Sequence, residues 1–239
     1  MLDIVVPVYN EGQGILRLFD EIMDEIASPK KVLVIYDFDG DTTLPAVRRS
    51  QGSYPFAVRL VKNRMGKGAL NAIRTGMQEA TEEMVLVMMA DASDRLDIVD
   101  AMCGKMQEGY DLVCGSRYMK GGRQEGGPFL KGLFARAAGI SLHLFTGIPT
   151  HDVTNSFKLY RRRMLEAIPI ESTGGFEIGM EITVKAYVAG YRITELPSEW
   201  TDREEGESNF HMWKWLPHYL HWYFFCIRKK CFCGFWGRR

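Results

Sequence analysis

The sequence predicts an α/β fold: a mostly parallel sheet, flanked by helices, that forms one domain with a C-terminal extension. Short runs rich in Val and Ile alternate with segments whose apolar residues recur at helical spacing, and a polar cluster follows four of these runs. The 239 residues, 46% of them hydrophobic, are ample for a substantial core. We assign the domain to residues 1–210 and an aromatic, basic tail to residues 211–239.

Strand and helix patterns alternate from the N-terminus onwards. Residues 3–8 read as a buried strand that Pro7 restricts to an end position, and residues 15–26 read as an amphipathic helix. The same cycle then predicts strands at 31–36, 57–61, 84–89 and 111–114, and helices at 44–49, 69–80 and 98–106.

The pattern changes after Tyr118. Residues 119–127, MKGGRQEGG, are rich in glycine and are expected to be mobile. A long apolar segment follows at 130–145, a further strand is predicted at 191–197, and residues 201–210 read as a charged loop.

Polar clusters stand directly after four of the predicted strands, with the sequences YNEG, DFDGD, ADASD and GSRY. In open α/β sheets, ligands bind outside the carboxyl ends of the strands. Four such loops would therefore converge on one face, which predicts a binding site there.

Two of these loops are rich in carboxylates: Asp37, Asp39 and Asp41 in one, and Asp91 and Asp94 in the other. So many acidic groups need a cation or hydrogen-bond donors facing them, and oxygen ligands select Mg²⁺ or Mn²⁺. Asp91 stands at the strand end and is the predicted metal ligand.

The residues after Asp91 have a competing interpretation. Asp94 is predicted either as a second metal ligand or as the N-cap of the next helix, and Asp97 as a partner for that helix's dipole.

Three groups of residues are suited to anions. Gly66, Lys67 and Gly68 precede a predicted helix and could hold a phosphate, although an ordinary exposed turn fits equally well. Arg203 lies in the charged loop, and arginine suits phosphate because its planar fork binds two oxygens. A third group, which could equally be surface cations, comprises Arg117, Lys131 and Arg136.

Composition limits the partners. Thirty basic residues balance thirty acidic ones, so no global field draws the chain to nucleic acid. Five cysteines without paired spacing predict reduced thiols, and nothing resembles a signal peptide or a membrane-spanning run, which favours the cytoplasm. The aromatic tail suits either a membrane interface, as a peripheral contact, or a helix packed on the domain.

Taken together, these motifs resemble family 2 glycosyltransferases of the Rossmann-like GT-A fold, particularly the polyprenol-phosphate sugar transferases typified by dolichol-phosphate mannose synthase. The matching stretches run in family order from residue 4 to residue 210: VVPVYNE, VIYDFDGDTT, MADASD, GSRY, DVTNSFKLYRR, GFEIGMEI, GYRITELP and DREEGES. The resemblance implies an inverting, metal-dependent transfer of a sugar from a nucleotide-sugar donor to a lipid phosphate at the cytoplasmic face of a membrane.

Roles for individual residues also follow from the resemblance. It implies donor-binding positions at Pro7, Tyr9, Glu11 and Asp37, to which the acidic loop and the glycine-containing turn add Asp41 and Lys67. Asp91 would take the cation that bridges the donor diphosphate, and Arg203 would neutralise that diphosphate as it leaves. The acceptor phosphate would face Arg117, Lys131 and Arg136, and Asp152 is a further predicted acceptor-binding residue.

Departures from the family, at Met89, Ala135, Ser156 and Asn209, keep two alternatives open. Met89 stands where the family often has the first aspartate of its metal motif, so a nucleotide-sugar-binding protein without catalysis is one alternative. The other is a glycosyltransferase that acts on a saccharide hydroxyl in polysaccharide synthesis. A hydroxyl acceptor requires a general base, for which the candidates are Asp152, Glu177 and Glu181.

Overall fold

A computed structural model of the chain describes residues 1–202 and 212–232. The strands, in chain order, are β1 (Leu2–Val8), β2 (Lys30–Tyr36), β3 (Ala57–Lys62), β4 (Met84–Val87), β5 (Leu112–Ser116), β6 (Arg123–Glu125), β7 (Lys158–Arg161), β8 (Ile193–Pro197) and β9 (Glu199–Thr201). The helices are α1 (Gly14–Glu25), α2 (Thr43–Arg49), α3 (Ala69–Glu79), α4 (Val99–Gln107), α5 (Phe129–Thr146), α6 (Arg162–Ala167), α7 (Ile178–Val188) and α8 (Met212–Ile227), which a π-helical turn (Arg228–Phe232) follows.

The central sheet has seven strands in the order β3-β2-β1-β4-β7-β5-β8. All of its pairings are parallel except those of β7, which runs antiparallel between β4 and β5. The prediction of an α/β fold with a mostly parallel sheet is therefore confirmed.

Helices cover both faces of the sheet because alternate side chains of each strand point to opposite sides. In β1, Val6 belongs to a core cluster with Phe19 of α1 and Met102 of α4. Its neighbour Val5 belongs to a second cluster with Ile73 of α3 and Ile182 of α7. This double burial explains why the strands read as nearly continuous apolar runs.

Several elements were not predicted from the sequence: β6, β7, β9, α6 and α7. The expectation that residues 119–127 are mobile is wrong for Arg123–Glu125, because this segment is β6 and pairs in parallel with β9. Two backbone hydrogen bonds to the segment around β9 fix its ends: Arg123 N donates to Ser198 O at 3.0 Å, and Glu125 O accepts from Asp202 N at 2.9 Å.

The aromatic tail folds back onto the domain over the part that the structure describes. Trp222 and Cys226 of α8 are buried in a third core cluster with Leu142 of α5 and Val184 of α7. Within residues 1–202 and 212–232, no helix combines the length and apolar character that crossing a bilayer requires.

Candidate active site

The carboxyl edge of the sheet gathers the four polar clusters that follow predicted strands in the sequence. Strands β1 to β5 are parallel to one another within the sheet, so the loops at 9–12, 37–42, 63–68, 88–94 and 117–118 open at this edge. Because β7 is antiparallel, it begins at the same edge, and the loop at 151–157 joins the others there.

The loop after β1 is fixed by the loop after β2. Asp41 is buried and its two oxygens accept backbone N–H groups from Asn10 at 3.1 Å and Thr43 at 2.8 Å. Glu11 N donates to Thr43 Oγ1 at 3.0 Å. Asp41 therefore shapes this loop, and because it is 1% exposed, a direct contact with the donor would need the loop to move.

The two other residues assigned to the donor nucleoside in this loop differ in access. Pro7 lies buried within β1, so a ligand would meet it only at the strand end. Tyr9 is 61% exposed, and its ring meets Phe38 edge-on at 5.7 Å between centroids. An open aromatic surface thus stands at the end of β1.

Asp37 ties the end of β2 to the glycine-containing turn. Its oxygens accept Asn63 Nδ2 at 2.7 Å and Gly68 N at 2.8 Å. Asn63 also donates to Gly66 O at 2.6 Å and accepts from Met65 N and Thr75 Oγ1. Asn63 is thus the centre of this turn, which the sequence reasoning missed because an asparagine between strand and turn looks ordinary.

The turn itself needs its glycines. Gly66 and Gly68 have φ of 107° and 105°, in the region that L side chains rarely adopt, and Gly68 is the N-cap residue of α3. The exposed Lys67 lies between them, beside the N-terminus of α3. This arrangement suits an anion, because a helix N-terminus presents backbone N–H groups and a partial positive charge.

The acidic loop after β4 is a strained turn. Ala92 has a φ of 51°, which is uncommon for a residue with a Cβ and recurs at functional sites. The turn is held by Asp91, whose Oδ1 accepts both the hydroxyl and, at 3.3 Å, the backbone N–H of Ser93. Asp91 itself is only partly buried.

Asp94 is buried and incompletely satisfied. It is 6% exposed, and its Oδ1 has no hydrogen-bond partner within the described parts of the chain. Burial raises the pKa of Asp94 to about 7; the charge of Asp91 adds to the shift, and that of Arg117 opposes it. The prediction that Asp94 caps the next helix is wrong, because α4 begins only at Val99 and has no side-chain cap bond.

The residues after Asp94 pack on β9 rather than starting a helix. Asp94 forms an isolated bridge with Trp200, and Thr201 N donates to Ser93 O at 2.9 Å. Asp97 pairs with Arg95 at 3.3 Å. Strand β9 thus delivers the chain to residue 202 beside the acidic loop, and Arg203, the predicted partner of the leaving diphosphate, lies outside the described residues.

Arg117 and Asp152 form a buried ion pair at the end of β5. The Arg117 side chain donates to Asp152 from Nε at 2.7 Å and from Nη2 at 3.1 Å, and its backbone N–H donates at 3.2 Å. Burial alone would raise the pKa of Asp152, but the Arg117 guanidinium outweighs it, and the pKa is lowered. The charge of Arg117 at this site is therefore balanced by the ionised carboxylate of Asp152.

The other predicted acceptor cations lie on α5, which borders this pair. The Arg117 guanidinium stands over the ring of Tyr118, 4.9 Å from its centroid. Burial raises the pKa of Tyr118 to about 12, and Arg136 is among the charges close enough to act on that hydroxyl. Arg136 is thus brought towards Arg117, while Lys131 lies five residues earlier on α5 and is partly buried.

The three carboxylates considered as a general base are all fully buried and bound to donors. Asp152 binds Arg117, Glu177 accepts backbone N–H groups from Gly174 and Gly175, and Glu181 accepts those of Glu171 and Ser172. Each carboxylate holds a loop or an ion pair in place, which leaves none of them suited to taking a proton from a substrate.

A buried lysine supports the loop that carries Asp152. Lys158, the first residue of β7, donates from Nζ to Val153 O at 3.0 Å and to Asn155 O. Asn155 in turn donates to Gly115 O at 3.1 Å, and its side chain moderates the rise in the pKa of Asp94. In the sequence, Lys158 stands between Phe157 and Leu159 in a strand of only four residues. A strand this short that contains a lysine gives no recognisable pattern of a buried strand.

Within the described residues, no group of three or more His, Cys, Asp or Glu side chains is arranged to hold a metal ion. Asp91 and Asp94 nevertheless suit a hard cation: they supply carboxylate oxygens, and the unsatisfied Oδ1 of Asp94 is a buried atom that a cation would complete. Ions such as Mg²⁺ are commonly held by one or two carboxylates together with substrate phosphates.

Comparison with known proteins agrees with this architecture. The family model described as "Glycosyl transferase family 2" matches residues 3–168. The dolichol-phosphate mannosyltransferase of Pyrococcus furiosus is 28% identical over 212 residues, which are 87% of this chain and 58% of that protein. The polyprenol monophosphomannose synthase of Mycolicibacterium smegmatis is 26% identical, covering 86% of this chain and 79% of that protein.

The fold is shared with solved glycosyltransferase structures. Glucosyl-3-phosphoglycerate synthase from Mycobacterium tuberculosis, in complex with Mn²⁺, UDP-glucose and phosphoglyceric acid, superposes with a TM-score of 0.67 at 16% identity, covering 97% of this chain and 79% of that one. S. aureus TarS 1–349 in complex with UDP-GlcNAc has a TM-score of 0.61 at 18% identity, covering 88% and 61%. The GT-A fold expected from the sequence is confirmed.

Proposed function

The chain belongs to glycosyl transferase family 2, and we propose that it is an inverting glycosyltransferase that moves a sugar from a nucleotide-sugar donor to a polyprenyl phosphate. The observation that carries the proposal is the convergence, at one edge of the sheet, of the loops that bear Asp91, Asp94 and Arg117. The names of the two relatives support the acceptor class. The chain spans 58% of the length of the first of these relatives.

Asp91 and Asp94 would hold a Mg²⁺ or Mn²⁺ ion. When bound, such an ion supplies positive charge against the negative charge that gathers on the departing diphosphate. The donor would lie along the loops after β1 to β4, with Tyr9 and Asp37 towards the nucleoside and Lys67 at the N-terminus of α3 near its phosphates. Arg203 is proposed as a further cation for the diphosphate on its sequence position alone.

The acceptor would approach from the side of β5 and α5. Arg117, Arg136 and Lys131 are the proposed cations for its phosphate, and Asp152 acts on it through Arg117 by holding the guanidinium in place. A phosphate monoester has a second pKa near about 6 and is largely dianionic at neutral pH, so it needs no general base. This suits a site whose three candidate bases are buried and bonded.

The reaction is tested by incubating the protein with radiolabelled nucleotide sugars, Mn²⁺ and a polyprenyl phosphate. We expect label in the organic phase, dependent on both the metal and the phosphate group. Label on saccharide hydroxyls alone would support the polysaccharide alternative instead. Nucleotide binding without turnover of any donor would support the non-catalytic alternative that Met89 raises.

The metal assignment is tested with two variants. We expect Asp91→Ala to abolish turnover and Asp94→Ala to reduce it, because Asp91 is the more accessible carboxylate at the strand end. Binding of Mn²⁺ with a nucleoside diphosphate, measured by calorimetry, should weaken in both. Intact activity in both variants would remove these residues from the metal site.

We also propose that the protein works at the cytoplasmic face of a membrane, with a peripheral contact through residues 211–239. The acceptor class supports this, since a polyprenyl chain resides in the bilayer. Among the described tail residues, Leu220 and Phe224 are 42% and 61% exposed on α8, although Trp222 and Cys226 of the same helix are buried.

A further inference from the structure

Helix α5 exposes large apolar side chains to solvent near both of its ends. Six of its large apolar side chains are between 46% and 79% exposed: Phe129, Leu130, Leu133, Phe134, Leu144 and Phe145. By contrast, most of the large apolar residues of this protein are buried in three core clusters. Exposed apolar surface on this scale marks an interaction site.

These side chains share one face of the helix. At 3.6 residues per turn, they fall within an arc of about 160°, which we call the outer face. The remaining residues in that arc are Ala137, Ile140 and Ser141, so the outer face carries no charge over about 27 Å of helix.

The opposite side of α5 is locked onto the domain, which fixes the direction of the outer face. Gly139 and Leu142 are its buried residues. A Cβ on Gly139 would come within 2.0 Å of the His151 carbonyl oxygen, so the backbones touch there. Rolling α5 to hide its apolar arc would break this contact.

Helix α8 widens the same surface. Ser141 Oγ of α5 and Tyr223 OH of α8 lie within hydrogen-bond distance at 2.9 Å, and Tyr223 is flanked by the exposed Phe224. The apolar strip on α5 and the exposed residues of α8 are therefore adjacent.

Along the sequence, α5, α8 and the turn after α8 carry basic residues and no acidic ones. No Asp or Glu occurs between Glu125 and Asp152, and none follows Glu207, although the chain as a whole is neutral. Lys131 and Arg136 border the two edges of the arc, and Arg228, Lys229 and Lys230 follow α8. Cations beside an apolar helical face are the pattern of helices that lie in an anionic membrane interface.

We propose that the outer face of α5 docks flat on an anionic bilayer, with its apolar side chains among the acyl chains and the flanking cations at the headgroups. This goes beyond the proposed contact through the tail, and it does not depend on sugar transfer. A second copy of the chain fits less well, since an isologous contact would bring together two cationic borders with no carboxylate on either helix to pair them.

The test is flotation of the full chain with vesicles of phosphatidylcholine alone or mixed with phosphatidylglycerol, without donor or acceptor. We expect binding to the anionic vesicles and at least about tenfold weaker binding to neutral ones, since each basic residue near the surface contributes about fivefold. The double variant Leu133→Glu/Phe134→Glu should bind the anionic vesicles at least about tenfold more weakly than the wild type.

Two further variants make the result specific. Met23→Glu makes the same kind of change at a 40% exposed position on α1 and should bind like the wild type. Leu144→Glu, at the far end of the outer face and 72% exposed, should weaken binding even if the double variant fails to fold. Circular dichroism and a thermal melt report the folding of each.

Three outcomes would overturn the proposal. Wild-type protein that stays unbound with anionic vesicles is the first, and folded Leu133→Glu/Phe134→Glu and Leu144→Glu variants that bind like the wild type are the second. The third is light scattering that shows a wild-type dimer, monomeric outer-face variants and no flotation, because the face would then join two copies. None of these outcomes bears on sugar transfer, which a water-soluble short-chain acceptor phosphate measures separately.

Discussion

The two halves of the molecule hold their charges in different ways. In the half up to residue 98, the described ion pairs within the half lie at the surface, each partner being at least 20% exposed, as in Arg17–Glu21 and Lys62–Asp39. In the half from residue 99 onwards, three ion pairs have both side chains at most 11% exposed: Arg117–Asp152, Arg161–Asp111 and Lys185–Glu181.

This difference follows the regularity of the chain. The first half repeats a strand–helix pattern, and its parallel strand pairing and apolar faces are enough to specify its fold. The second half carries the antiparallel β7 and long irregular loops, and buried charges fix those loops in one arrangement. A buried ion pair adds little to the free energy of unfolding, but removing one partner lowers that free energy strongly because the other charge stays buried without a partner. The second half should therefore be more sensitive to substitutions that remove a single charge.

The largest expected effect is that of Asp152→Asn. It leaves Arg117 buried with its charge unmatched, which should lower the free energy of unfolding by about 3–5 kcal/mol. Glu21→Gln, which removes the exposed partner of Arg17, should cost about 0.5 kcal/mol or less. Urea denaturation of both variants measures the comparison, and equal losses would show that the two halves do not differ.

The next effect concerns pH and Asp94. Its folded pKa of about 7 lies above the unfolded value of 3.8, so the metal-free protein should lose stability as pH rises through that window, by up to about 4 kcal/mol. Asp94→Asn removes this loss, so the variant should become more stable relative to wild type with increasing pH. Urea unfolding in EDTA from pH 4 to pH 8 tests it, and a constant difference would contradict the buried carboxyl.

The smallest effect is expected in the first half, at Asn63. Asn63→Ala removes four hydrogen bonds around the turn and should cost about 2 kcal/mol, while weakening nucleoside diphosphate binding because Asp37 and Gly68 lose their alignment. Arg64→Ala, at an exposed position of the same turn, is the matched control. Calorimetry measures the nucleoside diphosphate affinity of both variants. Equal affinities would show that the turn does not contribute to donor binding.

How far the fold follows from the sequence also differs between the halves. The strand predicted at 31–36 is Lys30–Tyr36 and that at 57–61 is Ala57–Lys62, because runs of β-branched residues between helical patterns give a local signal. Strand β7 gives no such signal. It has four residues, one of which is the buried Lys158, and only its two partner strands make it a strand.

The candidate site shows the same limit. The convergence of the polar loops could be predicted, since it depends only on parallel strands ending at one edge. The hydrogen-bond and packing partners of individual side chains could not be predicted from the sequence. Whether Asp94 caps a helix was decided by Trp200 and Thr201, more than 100 positions away, whose pairing with the acidic loop delays α4 to Val99.

Strand β7 has one more consequence, for how the protein can change over evolution. Because Cys114 of β5 pairs with Lys158 of β7, the chain from 117 to 157 leaves and re-enters the sheet at neighbouring points, and the Arg117–Asp152 pair closes its base. Loops within such a closed excursion can change in length without altering the register of the strands beneath them. Its regular elements are less free to change, because β6 pairs with β9 and α5 buries Leu142 against α7 and α8.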